Sequence, residues 1–213
     1  RSVASDQLRD AEMGITSVPS RHPLLDRQIT SAALPTYTAL VPPRTDDYRD
    51  DHRMTGERAI SGTMLVEMVR GAAEDATGAP VALHDVALGA PVIVGAMTEL
   101  IVSAVDAGPN GQYSWQVTAR AFGSREARTQ TALIARSLPA TGARPPVLPL
   151  DAIRDRCSSI DWLPTFDDPA SPVSIGTRWR ALEGIAVGAG GEQLLDLVIA
   201  DGVETEGYGL HPV

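Results

Sequence analysis

Ser61-Gly62-Thr63-Met64-Leu65-Val66-Glu67-Met68-Val69-Arg70-Gly71-Ala72-Ala73-Glu74-Asp75-Ala76-Thr77-Gly78 is the stretch on which the fold turns. Met64, Leu65, Met68, Val69, Ala72 and Ala73 recur with helical spacing, while Glu67, Arg70, Glu74 and Asp75 fall on the opposite face. Ser61 is an N-cap type of residue, because its hydroxyl can take one of the unpaired first-turn amides. Gly78 suits a C-cap, because glycine enters the left-handed region without cost. The pattern predicts a helix over 62–77 whose apolar face, Met64, Leu65, Met68 and Val69, lies buried under a sheet.

Segments with strand composition follow: Val81–Val86, Ala90–Val94, Glu99–Val105, Tyr113–Phe122 and Thr131–Ser137, separated by turn signals such as Gly108-Pro109-Asn110-Gly111. Upstream, Thr36–Val41 reads as a strand ended by Pro42-Pro43. One helix with several antiparallel strands predicts an α+β unit in which a sheet wraps round a central helix, placed at residues 21–138 after an irregular segment, 1–20. Residues 139–150 are rich in proline and read as a linker. A second unit is expected over 151–213, with a short helix in Asp151–Asp161 and two paired strands, Arg180–Val187 and Gln193–Ala200.

With 213 residues and 43% apolar content, the chain can bury a core. No apolar run reaches the roughly eighteen residues of a membrane span, and the first residues lack a signal-peptide core, so a cytoplasmic setting without membrane contact is expected. The net charge of −9 opposes a phosphate backbone and argues against nucleic acid. All 18 cationic side chains are arginine. A lone cysteine, Cys157, excludes an internal disulfide and a multi-thiolate zinc site, and reads as a small hydrophobe.

Before the helix lies Asp46-Asp47-Tyr48-Arg49-Asp50-Asp51-His52-Arg53-Met54-Thr55-Gly56. Three readings of His52 stand side by side. A metal site fits poorly, because the acidic residues match no calcium loop. A solvated charged loop is the plain alternative. A general base is the third: Gly56 allows close backbone approach, and Ser61 and Gly62 open a helix whose first amides and positive dipole end suit a developing oxyanion. On that third reading His52 faces apolar surroundings, with Asp46, Asp47 and Asp50 turned outward. His22 and His211, both followed by proline, read as hydrogen-bonded turn residues, and His84 as an ordinary strand residue. Trp115, Trp162 and Trp179 read as core anchors.

These residues resemble the dehydratase domains of modular polyketide synthases, a double hotdog family. His52, Gly56 and Ser61 occupy the fixed positions of H-x-x-x-G-x-x-x-x-P, with Ser in place of Pro. His22-Pro23-Leu24-Leu25 matches HPLL, Asp51-His52 matches DH, and Gly62-Thr63 with Glu67 matches G-T-x-x-x-E. Ile175-Gly176-Thr177-Arg178-Trp179-Arg180-Ala181-Leu182 resembles Y-G-P-x-F-x-x-L, with Ile for Tyr, Thr for Pro and Trp for Phe. Tyr208-Gly209-Leu210-His211-Pro212-Val213 resembles the lead-in to H-P-x-L-L-D.

The resemblance implies a first hotdog followed by part of a second. It implies elimination of water from a β-hydroxyacyl thioester, with His52 as catalytic base and Gly56, Ser61 and Gly62 on the substrate side. The acid it implies, an Asp of the second hotdog, is expected beyond Val213. The substrate rides on the phosphopantetheine of an acyl carrier protein, so no metal or soluble cofactor is expected. Expected partners are that carrier, the neighbouring synthase domains and a second copy in a homodimer. Double-bond isomerisation, ring closure by an oxygen nucleophile, and an inactive hotdog kept for carrier docking or dimer architecture remain open beside dehydration.

Overall fold

The computed structural model describes residues 16–123, 128–142, 146–160, 171–199 and 201–212. They fall into two compact units, one formed by Arg1–Pro43, Ile60–Thr141 and Thr205–Pro212, the other by Arg44–Ala59, Gly142–Glu204 and Val213.

The first unit holds strands β1 (Ser17–Pro19), β2 (Arg27–Ile29) and β3 (Thr36–Val41), helix α1 (Gly62–Thr77), and strands β6 (Val81–Leu88), β7 (Thr98–Ala107), β8 (Tyr113–Ala121) and β9 (Gln130–Pro139). The seven strands form one antiparallel sheet in the order β1-β2-β3-β7-β8-β9-β6. Alternation along the strands aims one face at α1: Tyr37, Ala39 and Val41 from β3, Leu100 and Val102 from β7, Trp115 and Val117 from β8. Met64, Leu65, Met68, Val69, Ala72 and Ala73 of α1 are buried against them, as the helical spacing requires. Each such Leu, Val or Met stabilises the unit by about 1.5–3 kcal/mol. On β9 the alternation slips, with Ala132 and Leu133 both buried, where the register with β8 shifts at a bulge. A sheet wrapped on a central helix is the hotdog arrangement.

Ser61 caps α1 through its side chain, which accepts from the Met64 amide at 3.1 Å, and Gly78 ends it at φ 67. One residue departs from the helical-wheel reading. Glu67, expected on the polar face, is fully buried. Its carboxylate accepts from Arg70 Nε (2.6 Å) and Nη2 (2.7 Å), from His22 Nε2 (3.0 Å), and from the amides of Gly209 (2.8 Å) and Leu210 (2.9 Å). Burial pushes this carboxyl up, but these donors outweigh it and hold it at about 2. The segment 208–212 is thereby tied to α1, and Thr63 Oγ1 adds a bond to the Pro212 carbonyl at 2.6 Å.

The second unit contains β4 (His52–Met54), β5 (Glu57–Arg58) and β11 (Val173–Ile175), a sheet of order β11-β4-β5. It also contains α2 (Leu150–Arg154) and a sheet of order β10-β12-β13 made by Cys157–Ser159, Leu182–Gly188 and Gln193–Leu197.

Several expected elements differ. Ala90–Val94 is not a strand: Pro91 has no amide to give a ladder, and Val92 instead offers its carbonyl to Ile60 N while its side chain enters the core. The helix expected in Asp151–Asp161 is the short α2, because Cys157–Ser159 pairs with β12. Ser17–Pro19, in a stretch expected to be irregular, pairs with β2. Trp162 lies outside the described residues. Among the described residues no helix is long and apolar enough to cross a membrane.

Candidate active site

His52 opens β4, which returns through Thr55 and Gly56 into β5. Both turn residues have positive φ, 49° and 82°, the signature of a two-residue type I′ hairpin, for which Gly56 is the suited residue. The hairpin is held on its other side by β11, with Ile175 directly opposite His52. Opposed residues of an antiparallel pair share a sheet face, so Ile175 lies beside the imidazole.

The ring is half-buried, and its Nδ1 lies 3.0 Å from the Ala59 carbonyl oxygen. A carbonyl only accepts, so Nδ1 carries the proton and the lone pair of the neutral ring resides on Nε2, which has no hydrogen-bond partner among the described residues. The Trp179 ring stands 5.3 Å away, tilted 43°. Ile175 and Trp179 give the imidazole apolar neighbours.

The acidic loop does not turn outward as a whole. Asp46 is exposed, but Asp47 and Asp50 fold back into the loop and stay half-buried. Asp47 takes the Arg49 amide and guanidinium, and Asp50 takes the Thr45 and Asp46 amides and Arg58. Burial pushes both carboxyls up, yet these donors prevail and hold them below the usual carboxylate range. Asp51 pairs with Arg178. Their charges are answered by arginines and amides, and among the described residues none bonds to His52.

Gly56 sits exposed at the hairpin tip, its carbonyl accepting from Arg53 Nη1 at 3.2 Å. Ser61 and Gly62 belong to the first unit, at the start of α1. The structure therefore places His52 and Gly56 on one hairpin of the second unit, and Ser61 with Gly62 on the helix start of the first.

The other histidines are occupied or peripheral. His22 Nδ1 accepts from the Leu24 amide at 3.2 Å, so its proton is on Nε2, which Glu67 takes. His211 packs edge-on against Tyr208 at 4.9 Å, and His84 is exposed on β6. Among the described residues no cluster of three or more His, Cys, Asp or Glu is arranged to hold a metal ion.

Residues 22–120 match the family profile described as "Polyketide synthase dehydratase domain". Over that segment the chain is similar to the polyketide synthase dehydratase family. Solved dehydratase domains share its fold. One from the terminal module of the rifamycin polyketide synthase aligns with a TM-score of 0.78 at 19% identity, over 95% of this chain and 75% of that one. A trans-AT dehydratase domain from Brevibacillus brevis gives 0.75 at 22%, over 92% and 71%. The erythromycin dehydratase gives 0.73 at 20%, over 95% and 74%. The chain matched none of the curated proteins with which it was compared.

The surroundings of His52 come from residues to which the sequence reading gave no role beside it. The Ala59 carbonyl left no signal, and Asp51 and Arg178, although they stand in the quoted motifs, gave no sign that they pair with each other. Trp179 read as a core anchor, although it stands in the Ile175–Leu182 motif, and that membership was the available sign.

Proposed function

We propose that the protein eliminates water from a β-hydroxyacyl thioester presented on the phosphopantetheine of an acyl carrier protein, with His52 Nε2 as the base. Nε2 takes the α-proton, the released electron pair becomes the Cα–Cβ double bond, and the β-hydroxyl departs as water after receiving a proton from an acid. The observation that supports this reading is the contrast between two imidazoles. His22 has both nitrogens committed to the protein, whereas His52 has its Nδ1 proton fixed on Ala59 and a lone pair available on Nε2. Ile175 and Trp179 stand beside the base as apolar neighbours. The carrier protein, the adjoining synthase domains and a second copy of the chain are the proposed partners. The proposed chemistry takes place on the thioester and draws on no metal or soluble cofactor.

Incubation with a β-hydroxyacyl pantetheine thioester, followed by mass spectrometry for loss of water, tests the reading. His52→Ala should lower the rate by roughly 10²–10⁴-fold with an unchanged melting temperature. An undiminished rate refutes it. A product with the mass of the dehydrated thioester but with its double bond moved or replaced by a ring would favour isomerisation or cyclisation.

A further inference from the structure

His52 is held from two sides. Its Nδ1–H bond to Ala59 decides which edge of the ring faces β5. A carbonyl acceptor tolerates a broad range of ring tilts, however, so this bond alone does not fix the plane. The plane is bounded by Trp179, which leaves β11 in the single 3₁₀ turn Thr177–Trp179 and places its ring 5.3 Å from the imidazole.

Trp179 is itself fixed. Its indole N–H donates to the Tyr48 carbonyl at 2.6 Å, and the Tyr48 ring stands 6.4 Å away. The same two segments meet again beside the Asp51–Arg178 ion pair. Gly176 N donates to the Asp51 carbonyl at 2.8 Å, Arg178 N to the Asp51 carboxylate at 3.3 Å, and Arg178 Nη1 to the Asp47 carbonyl at 3.0 Å. A Cβ on Gly176 would lie 2.5 Å from Asp51 Cγ, so this approach requires glycine. The strand entry that carries His52 and the turn that carries Trp179 are therefore one clamped piece.

We propose that Trp179 is a positioning residue for the reaction assigned to His52. Its ring sets the imidazole plane, and its indole N–H sets the ring through Tyr48, so that Nδ1 stays on Ala59 and Nε2 keeps one direction. The proposal rests on the general-base reading for its catalytic consequence, but the orientation itself is measurable without substrate. A phenylalanine can supply the wall and not the hydrogen bond, which separates the two contributions.

The test uses Trp179→Phe and Trp179→Leu in the whole chain. Nitrogen–proton correlation spectra of the His52 imidazole, recorded well above the ordinary imidazole range, should show a single Nδ1–H tautomer in the parent. Trp179→Leu should bring in the Nε2–H tautomer, and Trp179→Phe should show an intermediate mixture. In turnover of the β-hydroxyacyl pantetheine thioester, Trp179→Leu should lower kcat about 10–100-fold with KM within about twofold, and Trp179→Phe should recover most of it. If Trp179→Leu does not fold, Trp179→Phe decides alone by the His52 signals. Parent-like tautomer signals in the folded variants overturn the proposal, as does a loss carried by KM. His52→Ala run alongside separates the two claims, because full activity there refutes the base and leaves the tautomer spectra to judge the clamp.

Discussion

Gly71 lies on α1 where the His22 ring crosses the helix. In an exposed helix, glycine to alanine gains up to about 1 kcal/mol from propensity. Here the added Cβ would fall 2.3 Å from His22 Cδ2 and 2.7 Å from Nε2, atoms already fixed by Glu67 and Leu24. Overpacking of that kind costs roughly 1–3 kcal/mol, so it outweighs propensity. Gly71→Ala should therefore lower the urea midpoint, and a raised midpoint would show that the ring has room to move. At this scale the sequence was legible where a residue obeys its periodicity and misleading where it is paired. Glu67 has the helical position of a half-exposed carboxylate. Besides Arg70 on the same helix, its partners lie far off in the chain at His22, Gly209 and Leu210, and no local pattern announces those.

Elements show the same division. Helix α1 was legible because its sixteen residues repeat one apolar face and carry a cap at each end. The hairpin that holds His52 was not, because strands of three and two residues are too short for alternation to register, and their sheet partner β11 comes from a remote stretch. For α1, Ser61→Ala removes the bond to the Met64 amide and should cost about 0.5–2 kcal/mol, measured by chemical denaturation. No loss would mean that the cap is replaced by water. In the hairpin, Thr55 holds φ 49°, an outlier for a β-branched residue. Thr55→Asn fits the type I′ turn better and should raise the melting temperature. A fall would indicate that the threonine side chain, which donates to the Met54 carbonyl at 2.7 Å, matters more than backbone strain.

Across the whole molecule, acid stability follows from the buried carboxylate. Glu67 is held at about 2 against an ordinary value near 4.5. A depressed folded value means that the stabilisation is complete above about 4.5 and is lost as pH falls through about 2. A shift of this size is worth on the order of 3 kcal/mol. Glu67→Gln should be less stable than the parent at neutral pH and should flatten the acid limb of the stability profile. An unchanged slope between about pH 4.5 and 2 would contradict the pairing. The hotdog was legible as a helix followed by strands, and His52 as the start of a motif. Its tautomer and its Trp179 wall were not, because they arise from a carbonyl and an indole brought in by tertiary pairing. The central claim is that Nε2 of His52 removes the α-proton, and the most direct measurement follows that proton. A β-hydroxyacyl pantetheine thioester deuterated at the α-carbon is given to the parent and to His52→Ala, and release of label to water is timed. Enzyme-dependent release, reduced by roughly 10²–10⁴-fold in His52→Ala, is the result expected. Release at the parental rate from the folded alanine variant would contradict it.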